Sequence, residues 1–140
     1  MDLDRLLEQG SIQKIEPAKD LAEKEFAEAD YDIEHARESF EEKDYKWSIV
    51  KAYYAIFHSA KGIMFLMGYR EKSHFAVGEF LRELSKEGKL EGKYANDFKA
   101  AMSARQGADY NYEYSKDKAE LIISIAEEFI DRMEQLRAKI

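Results

Sequence analysis

Residues 45–67 read YKWSIVKAYYAIFHSAKGIMFLM, and the burial this segment demands decides the fold. Trp47, Ile49, Val50, Tyr53, Tyr54, Ile56, Phe57, Ile63, Met64, Phe65, Leu66 and Met67 fall on all sides of a 3.6-residue period. A helix that is apolar all round must be covered by protein on most of its circumference. It is therefore either the centre of a bundle or a helix whose second side is buried by another subunit. Asp44 stands where an N-cap belongs, and Gly68 where such a helix stops.

The neighbours supply the cover. Upstream, Ala22, Phe26, Ala29, Ile33, Ala36 and Phe40 recur every three or four residues among charged ones, which predicts an amphipathic helix with Pro17 in its first turn. Downstream, YREKS (69–73) reads as a loop with Ser73 capping a shorter helix that carries Phe75, Val77, Phe80, Leu81 and Leu84. A further helix begins near Glu91, and the last, from Ser115 to Ile140, places Ile122, Ile125, Phe129, Met133 and Leu136 on one stripe. These elements predict an all-α protein: an antiparallel up-and-down four-helix bundle with an additional short helix. Residues 1–140 read as one domain in which 1–15 form an N-terminal arm. With 140 residues the chain can bury one hydrophobic core.

Composition narrows the function classes. The chain contains no cysteine, which removes disulfides, iron–sulfur clusters, thiolate zinc sites and cysteine nucleophiles. His58, Ser59 and Lys61 interrupt the most apolar stretch, so no membrane span is expected. The acidic MDLDRLLEQG lacks the order of a signal peptide, and a cytoplasmic location is expected. The net charge of −7 argues against a protein coated by nucleic acid. That acidity belongs to residues 16–44, which hold 12 Asp/Glu and 4 Lys/Arg, and it reads either as a solvated face or as a dock for a basic partner.

No HExxH, phosphate loop, GxGxxG or GxSxG occurs, so neither a metal nor a cofactor is expected. Asp30, Asp32, Glu34 and Glu41 superficially match a calcium loop, but His35 occupies its required glycine position. His35, His58 and His74 stand far apart in the chain. His58 lies in the most buried helix, where an imidazole needs a hydrogen-bond partner.

The anomaly is in SARQGADYNYEYSK, residues 103–116. The inward stripe of its helix runs Tyr94, Phe98, Ala101, Arg105, Ala108 and Tyr112, so an arginine takes an apolar position. An arginine there either pairs with an internal carboxylate or faces a boundary where it can receive a phosphate. Gly107 weakens the helix beyond it, and Tyr110, Tyr112 and Tyr114 either stack on bases or cover the bundle's end.

VKAYYAIFHSAKGIMFLMGYREKSHFAVGEFL, followed by ARQGADYNY, resembles the HEPN domain family from about Asp20 to the C-terminus. The resemblance implies a four-helix bundle that forms a homodimer with the arginine-bearing helix near its interface. It also implies a toxin-like protein encoded beside a nucleotidyltransferase partner. Active members are metal-independent ribonucleases in which four to six residues separate an arginine from a histidine, often with a polar residue just before that histidine. In some members the partner attaches AMP to a tyrosine two positions beyond that histidine.

Transferred residue by residue, the catalytic set becomes Arg105, Asp109 and Tyr110, with Tyr112 as the candidate for AMP modification. Tyr110 stands where the family has histidine, and no histidine follows Arg105. Imidazole suits both proton transfers of RNA cleavage, whereas a tyrosine with an ordinary pKa of about 10 is a poor base at neutrality. His58 and His74 are the accessory candidates. The expected function is a toxin-like or substrate-binding component acting on RNA or a nucleotide, with ribonuclease chemistry degenerate. The alternative is a non-catalytic nucleotide- or nucleic-acid-binding module or a protein-interaction bundle. A purely structural bundle would instead require Arg105 to form an internal ion pair.

Overall fold

The computed structural model describes residues 2–140. Its elements are α1 (Leu3–Glu8), β1 (Ile12–Lys14), α2 (Lys19–Glu41), α3 (Tyr45–Met67), β2 (Tyr69–Glu71), α4 (His74–Lys86), α5 (Gly92–Tyr110) and α6 (Lys116–Arg137). The fold is all-α, with α2, α3, α5 and α6 as its long helices. Helix α3 packs against the other three, and α4 lies against α5.

Local chemistry sets most boundaries. Asp44 accepts from the Trp47 amide, Ser73 from Ala76 and Ser115 from Lys118, each satisfying an N–H that the first turn leaves free. Gly68 ends α3 at φ +86°, and its carbonyl accepts a 2.9 Å hydrogen bond from the Ile15 amide; a Cβ there would lie 2.9 Å from the Ile15 carbonyl oxygen. Pro17 lies outside α2, whose N-cap is Ala18.

Residues 69–71, expected as loop, pair antiparallel with β1 in the register Ile12↔Glu71 and Lys14↔Tyr69. Three-residue strands are below the length at which alternation can be read from sequence. Residues 2–14 thus join the body through this ribbon and through α1, whose Leu6 is fully buried. Glu83, itself buried, accepts from the Asp2 amide and Arg5 and fastens that helix to α4.

The inward stripe of α2 is buried at Ala22, Phe26, Ala29, Ile33 and Ala36. Helix α3 is buried on three sides, as its composition requires, but Trp47 is exposed at its start. Within the body of α3 the half-buried positions are Lys51, Tyr54, His58 and Lys61, all polar and spaced three, four and three residues apart. That single face carries the chemistry.

Candidate functional site

Arg105 enters this face from α5. The stripe Tyr94, Phe98, Ala101 and Ala108 is buried around it, as the periodicity requires, and its own side chain is 16% exposed. Nη1 donates to the Tyr54 hydroxyl at 3.1 Å, and the guanidinium lies 5.4 Å and 5.7 Å from the ring centres of Tyr53 and Tyr54. Asp109, one turn on, approaches Nε only to 3.8 Å, and Nε is buried without a hydrogen-bond partner among the described residues. The cation therefore rests on two aromatic faces and a neutral oxygen, with one distant carboxylate.

His74 joins the same cluster from the start of α4. Its ring stacks on Phe57 with centres 4.2 Å apart, and lies 5.7 Å from the Tyr53 ring and 6.1 Å from the Tyr54 ring. The Tyr53 hydroxyl is 2.6 Å from Nδ1. Tyr53 is fully buried, and burial pushes its phenol pKa upward, so the hydroxyl keeps its proton. With no other partner for that hydrogen among the described residues, Tyr53 donates to Nδ1, and Nε2 carries the hydrogen of the neutral ring. Burial and then the Arg105 charge hold the His74 pKa below its ordinary 6.5.

One turn along α3 from Tyr54, His58 serves a different network. Nδ1 donates to Glu25 Oε2 at 2.6 Å, and Nε2 stands 3.8 Å from Asp32 Oδ2. Lys61 bridges Glu25 at 3.8 Å and Glu71 at 3.5 Å. Burial and the neighbouring Glu28 raise the Asp32 pKa from 3.8 to about 6. Glu28, Asp32 and His58 each turn a donor atom toward the others within 4.8 Å.

The tyrosines after Arg105 lie apart. Helix α5 continues through Gly107 and ends at Tyr110, so the helical stripe stops before Tyr112, which takes φ +58°. That turn lets the Asn111 and Glu113 amides both donate to the Gly107 carbonyl, and it sets the Glu113 carboxylate against Gly107. Gly107 thus makes room for the returning chain. Tyr110 and Tyr112 are 71% and 78% exposed, and Tyr114 is exposed as well, so the tyrosines do not cap the bundle's end. Of the residues expected to form the site, the structure gathers Arg105, Asp109 and His74. It sets Tyr110 and Tyr112 at the surface and His58 in the adjoining carboxylate network.

Sequence reading missed Tyr53 and Tyr54 as the shelf for Arg105, and Glu25 and Asp32 as the partners of His58. The Lys51, Tyr54, His58, Lys61 recurrence was the available signal, a polar line ruled along an otherwise apolar helix.

Fold and site together define a small helical bundle bearing an incompletely paired arginine on an aromatic shelf. The HEPN domain model matches residues 22–136, and the chain belongs to the HEPN domain family. It is 34% identical over 109 residues to the Methanocaldococcus jannaschii protein named "Putative toxin MJ0605", covering 76% of this chain and 81% of that one. It is also 30% identical over 102 residues to an Archaeoglobus fulgidus protein named "UPF0332 protein", covering 71% and 82%.

Proposed function

We propose that this HEPN protein is the toxin-like component of a two-component system and that it engages RNA or a nucleotide through a phosphate held by Arg105. The carrying observation is the state of that guanidinium: most of its N–H groups have no partner among the described residues, and it is desolvated against Tyr53 and Tyr54. A phosphate oxygen would satisfy it with charge-assisted hydrogen bonds, and Tyr54 would hold it in place meanwhile. The name of the M. jannaschii relative supports the toxin-like reading.

The same geometry favours holding over cutting. A general base needs a free nitrogen lone pair, but His74 Nδ1 is occupied by Tyr53 and Nε2 bears a hydrogen. Nε2 is a donor, suited to a second phosphate oxygen. Tyr110, in the place of the family histidine, has no hydrogen-bond partner among the described residues and lies out in solvent. Tyr112 is accessible on its turn, as a residue modified by a nucleotidyltransferase partner must be, and a homodimer would double the Arg105 site.

The test is fluorescence anisotropy with single-stranded RNA alongside a gel assay of its length. Binding without shortening is expected, with affinity lost in Arg105→Ala and only partly restored in Arg105→Lys, since an ammonium cannot reproduce the planar fork. Affinity that Arg105→Ala leaves unchanged defeats the proposal. Cleavage abolished by His74→Ala would replace holding with ribonuclease action. Where a nucleotidyltransferase is encoded beside this protein, incubation with it and ATP, followed by mass spectrometry, should show AMP on Tyr112.

A further inference from the structure

We infer that Glu28, Asp32 and His58 form a binding site for one divalent transition-metal ion, on the α2–α3 seam beside the Arg105 cluster. Glu28 and Asp32 are four residues apart and so share one face of α2, while His58 comes from the facing helix. Metal sites in helical bundles are built this way, from side chains of adjacent helices. Spacing along the chain cannot reveal such a set because its members belong to two helices.

The imidazole distinguishes this group from an acidic patch. Its Nδ1–H is committed to Glu25 at 2.6 Å, which fixes the ring and makes Nε2 the nitrogen turned toward Asp32. A carboxylate behind a ligating histidine orients the ring and raises its basicity in the same way. At 3.8 Å the Nε2···Oδ2 separation is too long for a hydrogen bond. Two ligands each about 2.1 Å from a shared ion stand about 3.4 Å apart at a tetrahedral angle, so the His58–Asp32 pair needs a shift of only a few tenths of an ångström, and the exposed Glu28 carboxylate, within 4.8 Å of both, swings in by about 1.4 Å at most.

One imidazole and two carboxylates suit zinc, cobalt(II) or manganese(II), with water completing the coordination. The charges fit as well. Lys61 is shared between Glu25 and Glu71, and Lys51 donates to Ser39, so neither ammonium is paired with Glu28 or Asp32. This site does not depend on the proposed phosphate binding. Tyr54 joins the two neighbourhoods, its hydroxyl on Arg105 and its ring 6.2 Å from that of His58.

The experiment titrates chelator-treated full-length protein with cobalt(II), whose visible absorption reports protein coordination. Saturation at one ion per chain is expected. His58→Gln and Asp32→Asn should each weaken binding about a hundredfold. Glu25→Gln, which changes the group behind the ring and one partner of Lys61 but none of the three ligands, should weaken it about tenfold. His35→Gln, one turn from Asp32 but with Nδ1 bonded to the Tyr31 carbonyl, should leave binding within about twofold. Circular dichroism of each variant separates loss of the site from loss of the fold. No absorption band, or a band that folded His58→Gln retains, overturns the inference.

Discussion

Arg105 and Arg132 have almost the same exposure, 16% and 18% of the side chain, and opposite surroundings. Arg132, on α6, donates through Nε and Nη2 to both oxygens of Glu91 at 2.6–3.2 Å, and Nη2 also reaches the Lys89 carbonyl at 3.4 Å. That is the paired fork expected of an arginine joining two elements, here the start of α5 and the end of the bundle. Arg105 has one hydrogen bond to a phenol, two ring faces and a carboxylate at 3.8 Å. Equal burial with unequal pairing separates an arginine that holds the fold from one that is available to a ligand.

Replacing each arginine by alanine gives the widest separation. Arg105→Ala should lower RNA affinity by about 2 kcal/mol or more, roughly thirtyfold, because a desolvated charge pair with phosphate is lost. Its effect on unfolding free energy should stay under about 1 kcal/mol, since Tyr54 is half-exposed and water can replace the guanidinium. Arg132→Ala should leave RNA affinity within about twofold and lower stability by roughly 1 kcal/mol. Anisotropy and urea denaturation measure the two quantities, and equal binding losses in both variants would erase the distinction.

The regions should also answer acid in separate windows. Burial and Arg105 depress the folded pKa of His74, so the unfolded chain binds its proton more readily. The stabilisation is therefore complete above the ordinary value of 6.5 and declines as pH falls from there toward the folded value. Glu91 is held below its ordinary 4.5 by the Arg132 hydrogen bonds, so its contribution survives until pH falls under 4.5. The difference in urea-derived stability between the parent and His74→Gln should show the upper decline, bounded by about 1.4 kcal/mol per pH unit for one proton, because Asp32, with a folded pKa of about 6 against 3.8, acts in the opposite direction in both proteins. Glu91→Gln should diminish the decline below pH 4.5.

How much of this was legible follows from which distances matter. The buried α3, the α2 stripe, the caps at Asp44, Ser73 and Ser115, and the stop at Gly68 depend on neighbours within about four residues, so their sequence shows them. Arg105 was visible because it breaks a stripe that Phe98, Ala101 and Ala108 keep. What its side chain meets was hidden, since Tyr54 is 51 residues away and Glu25 lies 33 from His58. The Tyr112 turn was hidden for a local reason: φ +58° at a tyrosine is rare enough that the periodicity was carried one turn too far.

The smallest effect is the most discriminating, because it concerns the pairs themselves. In a double-mutant cycle the Arg132–Glu91 coupling should be about 0.5–1 kcal/mol, the range of a well-oriented bidentate pair with one exposed partner. The Arg105–Asp109 coupling should be smaller, below about 0.5 kcal/mol in the free protein, since the pair stands 3.8 Å apart with no hydrogen bond between them. If Asp109 were the true partner of Arg105, as in a purely structural bundle, the two couplings would match. Repeating the cycle with RNA bound sharpens the point. Phosphate should take over the guanidinium, so binding should leave the Arg132–Glu91 value unchanged and lower the Arg105–Asp109 value further.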